Sequence, residues 1–151
     1  MILWVRHGQS TWNAMDRMQG HELSPPLTDL GREQAALAAE ALLGRSVVRI
    51  LSSPAVRARQ TADVIADRLG LDVVEEPLLL EKGLDEDKSR VQARIRTLLA
   101  RDLPADTVAV SHGDVIGYAV ELLTGSLPGV PANGSITQVD PDTRQAAVAM
   151  P

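Results

Sequence analysis

The chain has 151 residues and a net charge of −5, with 44% hydrophobic and 23% charged residues. That length is sufficient for one domain with a substantial core, and we expect a single domain over residues 1–151. The acidic balance argues against nucleic-acid binding, which uses a basic face. Two Trp, one Tyr and no Phe also leave few platforms for stacking bases. The absence of Cys excludes disulfides, thiolate catalysis and Cys-based zinc sites.

The N-terminal residues carry no targeting signal of a recognisable kind. Only five residues precede Arg6, which is too few for the apolar segment of a signal peptide. No apolar run approaches the length of a membrane span. The sequence therefore predicts a soluble cytoplasmic protein with neither a membrane nor a nucleic acid as partner, and it leaves the oligomeric state open.

Strand and helix patterns alternate along the chain. Short apolar runs rich in β-branched residues predict strands at residues 2–5, 47–51 and 108–110, with a further strand at 72–74. A hairpin is expected at a sheet edge, where residues 135–139 and 145–149 flank Asp140-Pro141-Asp142. Apolar residues at helical spacing predict four helices, whose stripes are Ala35, Ala38, Ala39 and Leu42; Ala58, Ala62, Ile65 and Leu69; Val91, Ile95, Leu98 and Leu99; and Ile116, Ala119, Val120 and Leu123. This order is typical of an α/β domain, a mixed but mostly parallel sheet between helices.

Three predicted strands end in polar residues that lead into a helix. The first ends at Arg6-His7-Gly8, the second at Ser52-Ser53-Pro54, and the third at Ser111-His112-Gly113-Asp114. After the second strand, Ser53 is expected to cap the helix with Pro54 at its first position, which puts Arg57 in the first turn. Ligands of open α/β sheets bind at the carboxyl ends of strands, so these residues are expected to converge.

Four potentially cationic side chains are expected at this place, those of Arg6, His7, Arg57 and His112. They would repel one another, so they require an anionic partner. A phosphoryl group, with about two negative charges near neutral pH, satisfies that requirement, and planar guanidinium groups suit its oxygens. Two alternatives remain at this point. His7 could be an idle turn residue, or His7, His21 and His112 could bind a metal ion, although neighbouring Arg residues oppose a bound cation.

Six blocks in order along most of the chain resemble the histidine phosphatase superfamily, in its phosphoglycerate-mutase-like branch. The blocks are RHGQSTWN, the Gln19-Gly20 pair, PLTDLGREQA, SSPAVRARQTA, the LLE that ends at Glu81, and VSHGDVI. The resemblance implies a three-layer α/β fold and phosphoryl transfer through a phosphohistidine, with no cofactor and no metal. It replaces the idle-turn interpretation of His7.

The resemblance also implies roles for individual residues. His7 is similar to the nucleophile of the family, and Glu81 occupies the place of the proton donor to the leaving group. Arg6, Arg57 and His112 resemble the residues that bind phosphate oxygens. The positions that match the lining of the pocket are Asn13, Gln19, Gly20 and Gly113.

Elementary chemistry agrees with those roles. A neutral imidazole can attack phosphorus, and fixed cations stabilise the equatorial oxygens. A leaving alkoxide then needs a proton from a carboxylic acid. Burial would raise the pKa of Glu81 whereas Arg6 and Arg57 would lower it, and the sequence also allows Glu81 to be a surface acid beside Lys82. Arg59, two helical positions after Arg57, is expected to face solvent.

The segment after Glu81 departs from the family. Only about thirty residues separate Glu81 from His112, so the long basic lid of phosphoglycerate mutases is expected to be missing. A partial replacement could come from Lys82, Lys88, Arg90 and Arg94, although a solvated charged helix face explains them as well. An open site favours hydrolysis of the phosphohistidine. The sequence therefore predicts a phosphatase acting on a small phosphorylated metabolite or a phosphoprotein, with a mutase and a non-catalytic phospho-ligand binding module as alternatives.

Overall fold

A computed structural model describes residues 1–104 and 106–150. The six strands are β1 (Ile2–Arg6), β2 (Arg49–Ser52), β3 (Val73–Glu75), β4 (Thr107–Ser111), β5 (Ile136–Val139) and β6 (Ala146–Met150). The five α-helices are α1 (Thr11–Ala14), α2 (Asp29–Leu42), α3 (Val56–Leu69), α4 (Lys88–Leu99) and α5 (Gly113–Thr124), and a short 3-10 helix spans Pro77–Leu79. The predicted domain of residues 1–151 includes positions 105 and 151, which lie outside the described residues.

The strands form one mixed sheet in the order β3-β2-β4-β1-β5-β6. The pairs β3–β2, β2–β4 and β4–β1 are parallel, whereas β5 runs antiparallel to both β1 and β6. The predicted mostly parallel sheet is therefore confirmed, and so is the hairpin at its edge. Strand bounds differ from the predicted ones by one or two residues, which is ordinary for element ends.

Alternation along the strands divides the core into two halves. Leu3 and Val5 of β1 pack with α2 and α3 on one face, whereas Trp4 packs with α4 and α5 on the other. Neighbouring strands follow the same alternation, because successive side chains of a strand point to opposite faces. The apolar stripes of all four predicted helices face this core, with Leu69, Leu99 and Leu123 only partly buried. The result is the predicted three-layer arrangement.

The start of α3 differs from the prediction. The helix begins at Val56 with Ala55 as its N-cap, so Ser53 is not the cap and Pro54 is not the first helical residue. The Ser53 hydroxyl instead lies 2.8 Å from Nε2 of His112. This contact with a residue on another element holds the serine outside the helix. Arg57 nevertheless falls in the first turn, as expected.

A second junction brings the end of β1 against the start of α2. A Cβ atom at Gly8 would lie 2.2 Å from the Gly31 carbonyl oxygen, and one at Gly31 would lie 2.1 Å from the Gln9 carbonyl oxygen. Both positions therefore require glycine. Within the described residues, no helix is long and apolar enough to cross a membrane.

Candidate active site

The two histidines emerge side by side at one edge of the sheet. Arg6 pairs with Ser111 in the parallel ladder between β1 and β4, so the next residue of each strand, His7 and His112, leaves the sheet at the same level. Their ring centroids are 5.1 Å apart with an interplanar angle of 63°. Both side chains are fully buried or nearly so. The predicted convergence of strands β1 and β4 is thus present.

His7 is held in one orientation by the backbone. Its Nδ1 lies 2.6 Å from the Gly8 carbonyl oxygen, and because a carbonyl can only accept, Nδ1 carries the proton. Nε2 is buried and has no hydrogen-bond partner. Burial, with smaller contributions from Arg57 and Arg6, lowers the pKa of His7 to about 3 although the Gly8 hydrogen bond raises it. The imidazole is therefore neutral near pH 7, with the Nε2 lone pair free to act as a nucleophile.

His112 presents a donor to the same space. Its Nε2 lies 2.8 Å from the Ser53 hydroxyl, which also accepts a hydrogen bond from the Ala55 N–H at 3.3 Å. Among the described residues, Nε2 of His112 is the one acceptor within reach of the buried Ser53 hydroxyl proton, so the hydroxyl donates to Nε2. The imidazole proton then resides on Nδ1, which is buried and unpartnered. Burial is the main cause of the strongly lowered pKa of His112, so the ring is neutral near pH 7.

Two arginines complete a set of buried donors. Arg57 donates from Nη1 to the Glu22 carbonyl oxygen at 2.8 Å, and Arg6 donates from Nη1 to the Pro131 carbonyl oxygen at 2.7 Å. These bonds anchor each guanidinium while Nε of both, and Nη2 of Arg57, have no hydrogen-bond partner. Buried donors without partners call for a ligand, and cationic ones call for an anion.

Glu81 closes the pocket on the side facing the histidines. Its Oε2 lies 3.4 Å from Nη2 of Arg57 and its Oε1 lies 3.8 Å from Nδ1 of His112. The side chain is 16% exposed, which is inconsistent with a surface acid. Burial raises the pKa of Glu81 to about 7, outweighing the nearby Arg57 that lowers it. The carboxyl group can therefore hold or release a proton near neutral pH.

The residues predicted to line the pocket lie around it in different ways. Asn13 and Gln19 are joined through the Ser10 hydroxyl, which contacts both side-chain oxygens at 3.0 and 2.5 Å. Gly20 has φ +50, and its backbone N–H lies close enough to the Glu81 carboxyl group to lower the pKa of that group. Gly113 begins α5, and a Cβ there would lie 3.2 Å from Cζ of Arg6. Gly113 thus leaves room for the Arg6 guanidinium, while the Gly20 backbone lowers the pKa of Glu81.

A family model, the histidine phosphatase superfamily (branch 1), matches residues 2–88. The chain belongs to this superfamily. A protein of Photorhabdus laumondii named probable phosphoglycerate mutase is 31% identical over 87% of this chain and 76% of its own length. Among solved structures, a mycobacterial glucosyl-3-phosphoglycerate phosphatase complexed with VO3 matches at a TM-score of 0.79 and 29% identity, over 92% of each chain. The protein histidine phosphatase SixA complexed with tungstate matches at 0.70 and 27% identity, over 97% of this chain and 92% of that one.

The family and the fold are those that the sequence predicts. Two further residues, Thr61 and Asn133, stabilise the site through hydrogen bonds. The Thr61 hydroxyl accepts from the Gly8 N–H at 3.0 Å and donates to the Arg57 carbonyl at 2.9 Å, so it joins β1 to α3. Asn133 donates to the carbonyl of His7 at 3.1 Å. Thr61 lies within the SSPAVRARQTA block with no role predicted from the sequence, and Asn133 was not predicted. Only the fold shows these contacts, because their partners are distant in sequence.

The remaining candidates lie outside the pocket. Arg59 forms ion pairs with Asp63 and Glu75, as expected for a solvent-facing position. Nε2 of His21 lies 3.1 Å from Glu86, and across residues 1–104 and 106–150 no group of three or more His, Cys, Asp or Glu could hold a metal ion. The alternative three-histidine metal site is therefore not assembled.

Of the four basic residues after Glu81, Lys88 and Arg94 make structural contacts, Arg90 is exposed on α4, and Lys82 lies beside Glu81. Arg94 donates to the Leu78 and Leu80 carbonyls and pairs with Glu86, while Lys88 pairs with Glu121 on α5. These contacts stabilise the fold: they hold Lys88 against α5 and Arg94 against the backbone that precedes Glu81. Only residues 82–87 lie between Glu81 and α4, which confirms the short connection.

Proposed function

We propose that the protein is a phosphomonoester hydrolase that works through a phosphohistidine on His7, without a metal ion or cofactor. The observation that carries the proposal is the group of buried nitrogens that lack a hydrogen-bond partner around one space: Nε2 of His7, Nδ1 of His112, Nε of Arg6, and Nε and Nη2 of Arg57. A phosphoryl group offers oxygens to the four donors and an electrophilic phosphorus to the one lone pair.

In the first step, Nε2 of His7 attacks phosphorus while the bond to the leaving oxygen breaks. The imidazole becomes cationic, and the Gly8 carbonyl at 2.6 Å from Nδ1 stabilises that charge. Arg6, Arg57 and His112 hold the equatorial oxygens, which is the main source of rate enhancement in phosphoryl transfer. Glu81 transfers its proton to the leaving oxygen. In the second step, the Glu81 carboxylate takes a proton from water, whose oxygen attacks phosphorus and releases His7.

Hydrolysis is favoured over mutase transfer by the open side of the pocket. Residues 82–87 replace a longer covering segment, and the neighbouring Met18 and Leu84 side chains are 81% and 74% exposed. Water can therefore reach the phosphohistidine. The similarity to two phosphatases supports the same choice, whereas the similarity to a phosphoglycerate mutase keeps that activity as the second candidate.

The proposal extends to the partners and location that the sequence predicts. The substrate is a phosphorylated small molecule, or a phosphoprotein in the manner suggested by the likeness to SixA. Asn13, Gln19, Gly20 and Gly113 act as supports of the pocket that orient Glu81, Arg6 and the bound phosphate. A single domain and a cytoplasmic location remain predictions from composition.

The test is hydrolysis of p-nitrophenyl phosphate by the purified chain. We expect turnover that EDTA leaves unchanged and that vanadate inhibits in competition with substrate. Activity lost on chelation and restored by zinc or manganese would contradict the metal-free mechanism. Tight binding of phosphorylated compounds without any turnover would favour the binding-module alternative. To detect mutase activity, 3-phosphoglycerate should be incubated with catalytic 2,3-bisphosphoglycerate, and we expect no 2-phosphoglycerate to form.

A further inference from the structure

The buried donors fix where the leaving group must lie, given the proposed phosphatase activity. With phosphorus between His7 and the leaving oxygen, an in-line displacement places that oxygen on the side of Glu81. The nearest space beyond Glu81 is a small cavity of about 140 Å³. It is lined by Met18, Gln19, Gly20, Glu81, Lys82, Leu84 and Asp114.

Asp114 is the feature of this cavity that the proposed mechanism does not use. It lies in the first turn of α5, where its Oδ1 accepts from the Val115 N–H at 2.7 Å. Its charge is close enough to the pocket to affect the pKa values of Glu81, Arg6 and Arg57. Burial raises its own pKa, whereas the backbone N–H groups of Val115 and Lys82 favour the ionised form. The positive charges of Lys82 and Arg94 also favour the ionised form, so Lys82 partly offsets the charge of Asp114.

The next space outward is also acidic. A cavity of about 440 Å³ shares Met18, Gln19 and Leu84 with the first and adds Glu22, Asp85 and Glu86 to its lining. Glu86 is neutralised by Arg94 at 2.8 Å, but Glu22 and Asp85 have no ion pair among the described residues. Opposing them is the Lys82 ammonium, which donates to the Gly83 carbonyl at 3.3 Å. The leaving-group side is therefore negative while the phosphate side is positive.

We propose that Asp114 makes the enzyme selective for phosphomonoesters whose leaving group carries an ammonium, and unfavourable for those that carry a carboxylate. Glu81 enters the reaction protonated, so Asp114 is the anion nearest the leaving group in this cavity. An ammonium there forms an ion pair in a partly buried site, where charges interact more strongly than in water. A carboxylate is repelled. Phosphoglycerates are accordingly poor substrates.

The experiment uses three alkyl phosphates of nearly equal size that differ in one terminal group: 2-aminoethyl phosphate, 2-hydroxyethyl phosphate and phosphoglycolate. We expect kcat/KM to be about tenfold higher for the ammonium compound than for the carboxylate, with the hydroxyl compound between them. The ratio should shrink as salt is added, since screening weakens charge interactions. Where turnover is slow, Ki values against p-nitrophenyl phosphate give the same ratio.

Variants assign the effect to a residue. Asp114→Asn keeps the oxygen that accepts from Val115 and removes only the charge, so we expect the ammonium-to-carboxylate ratio to fall to about threefold or less. Lys82→Met removes the opposing charge and should increase the ratio. Asp140→Asn is the matched control, because Asp140 is exposed in the β5–β6 hairpin and should leave the ratio unchanged.

Different failures point to different errors. Absence of p-nitrophenyl phosphate hydrolysis would overturn the phosphatase and this inference with it. Normal hydrolysis of that ester, with phosphoglycolate equal to or better than 2-aminoethyl phosphate, would overturn the selectivity alone. An ammonium preference that persists unchanged in Asp114→Asn would overturn the role of Asp114.

Discussion

The proposed phosphate pocket and the proposed leaving-group side of the same site are built in opposite ways. His7, Arg57 and His112 are buried to 1% exposure or less, and each follows a strand or begins a helix. The leaving-group side consists of the loop before α2 and residues 82–87, whose apolar side chains Met18 and Leu84 project into solvent. One half holds a nucleophile and hydrogen-bond donors at fixed positions, whereas the other half contacts the group to which the phosphate is attached.

This difference explains why the sequence indicates the proposed reaction more clearly than it indicates the substrate. A donor at the end of a strand needs a particular residue at a particular register, so it leaves a motif. A loop that contacts a variable leaving group needs only a shape and a charge. The predictions that follow test whether the phosphate pocket supplies the catalytic power as proposed, from the largest expected effect to the smallest.

Replacing His7 by Ala should give the largest effect. The nucleophile is lost while Arg6, Arg57 and His112 remain, so turnover of p-nitrophenyl phosphate should fall by about 10⁴-fold or more. Phosphate and vanadate should still raise the melting temperature of the variant, because the donors remain. After brief reaction of the wild type with labelled substrate and an alkaline quench, label should be found on His7. Near wild-type turnover by the variant, or label elsewhere, would refute the assignment.

Replacing Glu81 by Gln should have an effect that depends on the leaving group. Loss of the proton donor should cost about 10²–10⁴-fold with alkyl phosphates, whose alkoxides cannot depart unprotonated. The cost should be far smaller with p-nitrophenyl phosphate. The measurement is kcat/KM for both ester types in wild type and variant. Equal losses for good and poor leaving groups would mean that Glu81 supports the pocket without donating a proton.

The pH profile should show the same proton directly. Burial raises the pKa of Glu81 to about 7, and the acid must be protonated to act, so kcat/KM with alkyl phosphates should fall above about pH 7. The slope should approach tenfold per pH unit. p-Nitrophenyl phosphate controls for ionisation of the substrate phosphate and should show a weaker decline. A basic limb that persists unchanged in Glu81→Gln belongs to another group.

The placement of His7, Arg57 and His112 at one edge of the sheet was predictable because local sequence determines it. Three strands end in polar residues that lead to helices, and a parallel sheet places such ends at one edge. Helical geometry separates Arg57 from Arg59, and the structure buries the first and pairs the second with Asp63 and Glu75. These inferences need only the periodicity of the elements and the order of the strands.

The parts that failed or were missed depend on contacts between distant residues. Ser53 was expected to cap α3, because serine before proline is a common helix start. A hydrogen bond to His112, 59 residues away, prevails over that local preference. The balance at Glu81 likewise required the burial of the carboxyl group, which no spacing of residues reveals. Asp114 faces the leaving-group side only because α5 follows β4 there.

The smallest predicted effect concerns the hydrogen bond between the Ser53 hydroxyl and Nε2 of His112. By donating to Nε2 of His112, the hydroxyl keeps the imidazole proton on Nδ1, where it faces the phosphate. Ser53→Ala removes that constraint, and we expect vanadate to bind about 5–30-fold more weakly. This is less than the full value of one hydrogen bond to a charged group, because the variant still populates the Nδ1–H tautomer in part. Ser52→Ala is the matched control, since Ser52 is equally buried but its hydroxyl donates to the Ser53 carbonyl at 2.8 Å.

Both variants should lose similar thermal stability, so a selective loss of vanadate affinity in Ser53→Ala separates an effect on the tautomer from an effect on folding. Nitrogen-15 NMR of His112 should show Nδ1–H in the wild type and a mixture of tautomers in Ser53→Ala. Equal affinity losses in the two variants, or an unaltered tautomer, would show that Ser53 is structural only.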